Sequence, residues 1–399
     1  MTIGVIWDAE YPKEVRIQSE TETLQKDNVD FIIFCLAFDK KRVGQIEYDS
    51  LNGISIHRYF VPYFLKKIQF LAYTNKLYHY ILKKYIKHFI EKNQLEILHV
   101  HNMYALRAIL MVAPQIKYIF DIHENLPECF KMYSHTSSLI GKMLVSTSKW
   151  KKYEKKYIEA SLKTVVVTEE AALYYQQNYQ IDKSKFIVCP NFVRNGLVLD
   201  KSHNKYFEVN QKFSDKFNIL YIGDTGKRRG IYLVLEAIQV LKDKIPNINF
   251  IIIGKSKEDN NYKKLIDRYN INEFISFEGW QPEEYFPYYI NISHIGLSPL
   301  IRNIHHDTTY ANKLFQYMAF GLPMIVSDCD AQKNLVINNN IGLVHKAYSV
   351  NEFIDAVELL FNDTHKRLEM ATTCIETFNT KFLEHIVIKE LKDFYQSAN

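Results

Sequence analysis

The stretch Asp307–Asp328 of the 399-residue chain carries the residues most suggestive of chemistry, and it predicts a loop, a helix, a tight stop and a buried strand. A residue within 307–309 could cap the helix, while Gly321 and Pro323 would end it. Lys313 would lie in the first helical turn, where a cation opposes the positive end of the helix dipole. A bound anion would remove that conflict. The stretch therefore indicates either a phosphate-binding helix start or a lysine that reaches solvent.

A second candidate for anion binding is the turn Tyr221–Gly230, which holds three glycines and the consecutive cations Lys227, Arg228 and Arg229. Its spacing matches neither the dinucleotide-binding G-x-G-x-x-G pattern nor the P-loop, so a nicotinamide enzyme or an NTPase is disfavoured. By itself, the turn is more safely interpreted as a basic turn on the protein surface. Two anion-friendly helix starts in the same half of the chain favour a diphosphate site.

Polar residues also follow two neighbouring predicted strands in the first half. His101 ends one strand, and His123 and Glu124 follow the next. A lone histidine at such a turn is more often structural than catalytic. Because parallel strands end at the same sheet edge, these residues would line one site and could serve polar recognition or proton transfer.

Strand and helix signals alternate along the whole chain, and several strands are continuous Val, Ile and Phe runs. This pattern predicts parallel sheets covered by helices on both faces. The length favours two domains, and the polar, aperiodic segment from Val193 to about Lys216 is a plausible linker. We expect an α/β fold with two doubly wound Rossmann-like domains facing a central cleft, at residues 1–195 and 196–379.

The net charge of +5 is unevenly placed, because lysine is dense in Leu65–Lys92 and Lys142–Lys156. We predict a long helix at Phe64–Lys92 and another at Ser138–Ala160. Aromatic residues interleave with the lysines of the first, so its outer face could lie on an anionic membrane surface. A core-packing helix with a solvated lysine face is the preferred interpretation. Nucleic acid is disfavoured, since no Arg-rich patch or nucleic-acid-binding motif is present.

No apolar run reaches the ~20 residues that cross a bilayer, and the beginning of the chain is typical of a strand rather than a signal peptide. The five cysteines are scattered, without metal-ligand or disulfide spacing. These features predict a cytoplasmic protein, either free or peripheral on the inner face of the cell membrane.

Taken together and in order, four segments resemble the retaining glycosyltransferases of the GT-B fold, family 4 ("group 1"). The segments are His99–Asn102 with Phe120–Glu124, Val188–Asn191, Tyr221–Gly230 with Ile253–Gly254, and Asn312–Pro323. The last of them is the most specific. Similarity extends over nearly the whole chain.

The resemblance implies transfer of a hexosyl group from a nucleotide sugar, such as a UDP- or GDP-sugar, to an acceptor hydroxyl with retention of configuration. Residues 196–379 would bind the donor and residues 1–195 a glycan or lipid-linked acceptor in polysaccharide or glycoconjugate biosynthesis. A final helix at about 380–399 would pack back on the first domain. Neither a metal nor another cofactor is expected, because cations and helix dipoles stabilise the leaving diphosphate.

The resemblance also assigns roles to individual residues. His123, Arg229 and Lys313 would be catalytic, and Arg229 and Lys313 would also bind the donor. The other donor-binding residues would be Gly223, Lys227, Tyr310, Asn312, Leu314 and Gln316. The acceptor side would include Arg16, His101 and Glu124.

Two segments depart from the family pattern. Thr308 and Gln316 stand where the family has the two glutamates of its E-x7-E motif, and Asp8–Pro12 replaces a glycine-rich first loop. A glutamine still offers hydrogen bonds to ribose hydroxyls, although without a full charge. The alternative function is therefore a catalytically impaired sugar-nucleotide-binding partner or scaffold of a glycosyltransferase complex. A sugar-nucleotide epimerase on the same architecture is disfavoured, since neither Thr308 nor Gln316 supplies an acid/base carboxylate.

Overall fold

The computed structural model describes residues 2–12, 14–26, 29–132, 145–191, 193 and 197–397. The chain forms two compact units. Unit 1 contains Met1–Pro190 together with Val387–Asn399, and unit 2 contains Asn191–Ile386. The first unit thus ends five residues before the boundary expected from the sequence, and the last helix belongs to it.

Unit 1 is built on an eight-stranded sheet in which every neighbouring pair is parallel except β3 and β4. In chain order its strands are β1 (Thr2–Ile6), β2 (Asp30–Ala37), β3 (Ile46–Leu51), β4 (Ile54–Phe60), β5 (Ile97–His101), β6 (Lys117–Ile122), β7 (Thr164–Val166) and β8 (Phe186–Val188). Their spatial order is β3-β4-β2-β1-β5-β6-β7-β8. The carboxyl ends of the parallel strands therefore share one edge.

The helices of unit 1 connect and cover these strands. They are α1 (Val15–Gln25), α2 (Phe64–Ile68), α3 (Leu77–Asn93), α4 (Leu106–Val112), α5 (Leu126–Cys129), α6 (Thr147–Ala160) and α7 (Glu169–Tyr179). Helix α6 begins where Ser146 accepts a hydrogen bond from the Lys149 amide, and it buries Trp150 completely. Residues 138–144 of the helix predicted at Ser138–Ala160 lie outside the described residues.

Unit 2 has a six-stranded, all-parallel sheet in the order β11-β10-β9-β12-β13-β14. Its strands are β9 (Phe217–Ile222), β10 (Ile248–Ile253), β11 (Ile275–Gly279), β12 (Ile295–Ser298), β13 (Met324–Ser327) and β14 (Gly342–His345). Strands β9 and β10 are buried along their whole length, as expected for central strands covered on both faces. The predicted pair of doubly wound α/β domains is confirmed.

The remaining helices complete unit 2 and the end of the chain. They are α8 (Asn204–Phe213), α9 (Ile231–Lys244), α10 (Asp259–Tyr269), α11 (Phe286–Asn291), α12 (Ile304–Asp307), α13 (Lys313–Ala319), α14 (Asp330–Asn339), α15 (Val350–Asn362), α16 (Thr364–Thr377), α17 (Glu384–Val387) and α18 (Lys389–Ser397). No helix within the described ranges has the length and apolar character needed to span a bilayer.

The long helix predicted at Phe64–Lys92 is wrong, because the structure divides it into α2, a 3-10 turn at Gln69–Leu71 and α3. The interruption allows Ala72 and Tyr73 to enter the core. Within α3, Tyr78, Tyr85 and Phe89 are buried and Tyr80 is exposed, so most aromatic rings of this helix serve packing.

The predicted linker from Val193 to Lys216 is also partly wrong, because helix α8 occupies its middle. Val209 and Phe213, four residues apart, lie on one helical face and are buried. This short apolar stripe was hidden by the surrounding lysines and asparagines. Residues 194–196 lie outside the described part of the chain.

Candidate functional site

In unit 2, the turn after β9 brings backbone and cations close together. Gly223 has φ of +128°, and Gly230, directly before α9, has φ of +76°. A Cβ at Gly230 would lie 1.7 Å from the Pro299 carbonyl oxygen, so a larger residue would displace the backbone. Glycine is required here both by the left-handed conformation and by this close approach.

Lys313 is the most unusual residue of this unit. Its side chain is 94 % buried, with 6 % exposed, and its Nζ lies 3.4 Å from the centroid of the Tyr221 ring without a hydrogen-bond partner among the described residues. A Cβ placed on Gly223 would lie 3.9 Å from that Nζ. Burial, together with the nearby charge of Arg229, holds the pKa of Lys313 well below its usual value, although Asp224 opposes the shift.

The cations of the turn share one carboxylate. The Asp224 Oδ2 lies 3.4 Å from Arg229 Nε and 3.6 Å from an Arg228 guanidinium nitrogen. Both arginine side chains remain about one-fifth exposed. Lys227, by contrast, is exposed. The structure thus brings Gly223, Arg229 and Lys313 together and leaves Lys227 at the surface of the turn.

The residues around the start of α13 have different surroundings. Asn312 is the N-cap residue but its side chain makes no capping hydrogen bond, and Leu314 is completely buried in the apolar core. The Tyr310 carbonyl accepts a hydrogen bond from the Asn191 side chain over 3.4 Å, and its ring packs against Phe315. The prediction that a residue within 307–309 caps this helix is wrong.

Residues 307–309 instead belong to the end of the preceding short helix. Asp307 is the last residue of α12, and the Thr308 hydroxyl donates to the Ile304 carbonyl over 2.8 Å. The Asp307 carboxylate accepts the Asp330 amide over 3.0 Å, at the start of α14. Thr308 therefore closes a helical turn.

Gln316 is 94 % buried, with 6 % exposed, and its amide nitrogen donates to the Glu283 carboxylate over 2.9 Å. Glu283 lies in a 3-10 turn, Glu283–Tyr285, just before α11. A carboxylate that is distant in sequence therefore lies beside Gln316. The sequence reasoning missed Glu283, because a distance of 33 residues along the chain gives no local signal.

The polar cluster of unit 1 is centred on Arg16. Its guanidinium donates twice to Asp121 Oδ2, at 3.2 Å each, and contacts Glu20 over 3.0 Å. The same group donates to the Cys189 carbonyl over 2.9 Å and to the Pro190 carbonyl over 3.3 Å, where the first part of the unit ends. Arg16 therefore ties α1, β6 and the segment after β8 together.

Burial alone would raise the pKa of Asp121, but Arg16 and the neighbouring histidines outweigh it and hold that pKa well below the usual range. The reverse holds for Glu20. Burial raises its pKa well above the ordinary value, although Arg16 opposes the shift. These pKa shifts favour Asp121 as the ionised carboxylate that pairs with the Arg16 guanidinium.

Three imidazoles extend this cluster. His101 Nδ1 lies 2.8 Å from His123 Nε2, so one of the two rings donates to the other. His123 stacks on Trp7 at a centroid distance of 5.9 Å, and the Tyr395 hydroxyl lies 2.7 Å from His99 Nδ1. Tyr395 comes from α18, which explains why the end of the chain belongs to unit 1.

Burial lowers the pKa of His123 to about 4, although Asp121 opposes the shift. The pKa of His101 is held well below its usual value by burial and by His99. Both rings are therefore neutral at pH 7 and can exchange neutral hydrogen bonds. The structure brings together the predicted residues Arg16, His101 and His123.

Glu124, the third residue predicted for the acceptor side, has a different neighbour. Its Oε2 accepts a hydrogen bond from the Cys129 thiol over 3.0 Å, at the end of α5. The carboxylate therefore packs against its own turn.

Glu20, His99, His101 and Asp121 place potential metal-ligand atoms within 4.8 Å of one another. Arg16 already contacts both carboxylates of this set and supplies the positive charge. The guanidinium would repel an added dication, so these four side chains suit the arginine better than a metal.

One mostly parallel and one wholly parallel α/β sheet, with glycine-flanked cations after β9 and imidazoles at the carboxyl ends of β5 and β6, place the chain in the GT-B class. The family model described as glycosyl transferases group 1 matches residues 202–376, and that described as glycosyltransferase family 4 matches residues 14–195. Between them the two models account for most of both units. The chain belongs to the group 1, family 4 glycosyltransferases, as the sequence resemblance predicted.

Individual relatives are distant. An uncharacterized glycosyltransferase of Haemophilus influenzae is 24 % identical over 75 % of this chain and 76 % of its own length. The capsular polysaccharide biosynthesis glycosyltransferase CapM of Staphylococcus aureus is 22 % identical over 60 % of each chain. The solved structure of Anabaena HepE in complex with UDP is 12 % identical, has a TM-score of 0.72 and covers 100 % of both chains.

Proposed function

We propose that this glycosyltransferase uses a nucleotide sugar as donor and transfers its sugar, with retention of configuration, to a hydroxyl of a growing glycan or lipid-linked saccharide in polysaccharide biosynthesis. The similar protein HepE was solved with UDP, and the similar protein CapM acts in capsular polysaccharide biosynthesis. Both likenesses support the proposal for substrate class and pathway type.

The observation that carries the proposal is the Lys313 amine, which is buried beside Gly223 without a hydrogen-bond partner in the described structure. A buried amine that lacks a hydrogen-bond partner is costly, and a diphosphate oxygen would satisfy it and favour its charged form. The Arg229 guanidinium adds a second cation, which forms an ion pair with Asp224 over 3.4 Å. In this proposal unit 2 binds the donor.

The proposed chemistry needs no metal. Lys313 and Arg229 stabilise the negative charge that develops on the leaving diphosphate, and that phosphate accepts the proton of the attacking hydroxyl on the same face of the sugar. Neutral His123, held by His101, donates or accepts one hydrogen bond with the transferred sugar. Gln316 and Glu283 bind the ribose hydroxyls.

The test begins with thermal unfolding of the whole chain in the presence of UDP-, GDP-, ADP- and dTDP-sugars, because a ligand that binds the folded state raises its apparent stability. Hydrolysis of the stabilising donor is then followed without an acceptor. We expect slow hydrolysis, which Arg229→Ala reduces at least about tenfold through loss of a charge-assisted contact. Stabilisation without any hydrolysis would favour the binding-partner alternative. Full activity of both Arg229→Ala and Lys313→Ala would refute the assigned roles.

A further inference from the structure

One surface of unit 1 combines exposed apolar side chains with lysines. It is formed by Lys40 and Val43 after β2 and by Pro62, Tyr63, Phe64 and Lys67 after β4; we call it the 40–67 patch. These six residues line an open depression of about 390 Å³. Val43 is 44 % exposed, Tyr63 47 % and Phe64 44 %. Such a cluster of large apolar groups at a surface marks a site of interaction.

The lysines of the patch have no carboxylate within ion-pair distance in the described structure. Lys67 Nζ lies 5.5 Å from the centre of the Tyr63 ring, and the adjacent Lys66 Nζ lies 5.3 Å from that of Phe38. Arg42, in the same loop as Lys40, is different because it pairs with Glu47 over 2.8 Å. The patch therefore presents unneutralised positive charge around an apolar centre.

The position of the patch in the sheet relates it to the polar cluster. Strands β2 and β4 lead into the patch, and β5 and β6 lead to His101 and His123. All four strands are parallel in one sheet, so both features lie at the same edge. Two strand spacings separate β2 from β5, which corresponds to roughly 10 Å.

We propose that the 40–67 patch docks this protein on the anionic phospholipid surface of a membrane. Phe64, Tyr63 and Val43 enter the headgroup region, while Lys40, Lys66 and Lys67 contact lipid phosphates. The charge favours this occupant, because an apolar protein partner would not require several unpaired lysines around its seat. Docking at this sheet edge would bring a lipid-borne acceptor hydroxyl close to the histidine cluster. That last consequence depends on the proposed function, whereas membrane binding does not.

The patch overlaps only the beginning of the predicted helix Phe64–Lys92, whose outer face the sequence offered for membrane binding. Most aromatics between residues 73 and 89 are buried, whereas the exposed ones of the patch surround the short helix α2. The loop after β2 contributes to the patch from elsewhere in the chain.

The experiment is flotation of the full-length protein with vesicles of phosphatidylcholine alone or mixed with phosphatidylglycerol, at low and moderate salt. We expect binding to the mixed vesicles only, weakened by salt. The double variant Lys66→Glu/Lys67→Glu should lower the bound-to-free ratio at least about tenfold, since each lysine near an anionic surface contributes about fivefold. Phe64→Ser should lower it several-fold at either salt concentration.

Matched controls come from unit 2. Lys263→Glu/Lys264→Glu changes the net charge equally on two adjacent exposed lysines of α10, and Tyr348→Ser removes a ring that is 72 % exposed. Neither should change flotation. Donor-induced thermal stabilisation of the patch variants should equal that of the parent protein, which separates this proposal from the proposed function.

Absence of flotation, equal binding to both vesicle types, or an equal loss in the controls would overturn the proposal. Sedimentation analysis of the same variants tests the alternative that a second copy of this chain occupies the patch. If the patch variants dissociate a dimer while the parent protein fails to float, the patch is an interface between two copies and the membrane proposal is wrong.

Discussion

Replacing Lys313 by methionine should stabilise the free protein while weakening donor binding. The lysine amine is buried without a hydrogen-bond partner among the described residues, and its Nζ lies over the Tyr221 ring. Methionine keeps an unbranched chain of similar length and can still pack on that ring. The substitution therefore removes the amine and little else.

The magnitude follows from two opposing effects. Leaving a buried donor unsatisfied costs about 1–3 kcal/mol. Contact of the Lys313 amine with the Tyr221 ring, whose centroid is 3.4 Å away, offsets about 0.5–2 kcal/mol of that cost. The net gain from Lys313→Met is therefore about 1 kcal/mol, which raises the Tm of a domain of this size by roughly 2–4 °C. A lost charge-assisted hydrogen bond of about 1.5–3 kcal/mol weakens donor binding roughly ten- to a hundredfold.

The assay is calorimetric unfolding together with titration of the donor that stabilises the parent protein. Lys333→Met is the control, because Lys333 is one-third exposed and pairs with Asp330 over 2.8 Å at the surface of the same unit. It should change unfolding and binding little. If Lys313→Met lowers the Tm without ligand, the lysine stabilises the fold. If it leaves donor affinity unchanged, the reasoning about a diphosphate site is refuted.

Three further outcomes test the surrounding structure. Arg16→Met should lower the free energy of unfolding in urea by about 3–5 kcal/mol, because it leaves Asp121 buried without the paired guanidinium. A decrease of less than about 1 kcal/mol would contradict the buried ion pair. Gln316→Glu should lower the Tm more at pH 7 than at pH 5, because the new carboxylate would face that of Glu283. Adding Glu283→Gln should restore the stability, and absence of this recovery would show that the 2.9 Å contact does not couple the two residues. Burial lowers the pKa of His79 to about 3, so the unfolded chain binds more protons and the stability falls as the pH drops from about 6.5 towards 3. His79→Leu should therefore reduce the pH dependence of the urea unfolding midpoint between pH 7 and 4. An unchanged pH dependence would exclude this histidine as its cause.

Much of the fold could be predicted because its signals are local. The Ile and Val runs of β9 and β10 follow from burial on both faces, and the structure confirms the alternation with helices. The failures have two different origins, a weak local signal and tertiary packing. Helix α8 was missed because its apolar stripe is only two residues long, and the break between α2 and α3 depends on Tyr73 entering the core.

Sequence alone determined the family and the residue types of the candidate site, because glycines before a helix, clustered cations and histidines after buried strands are readable along the chain. Only the tertiary structure decided their environments. It buried Lys313 without a hydrogen-bond partner among the described residues, joined Gln316 to Glu283, and gathered Arg16, Asp121 and the histidines into one cluster. The physical reason is that burial and partners come from segments far apart in sequence, and these set charge state and hydrogen bonding.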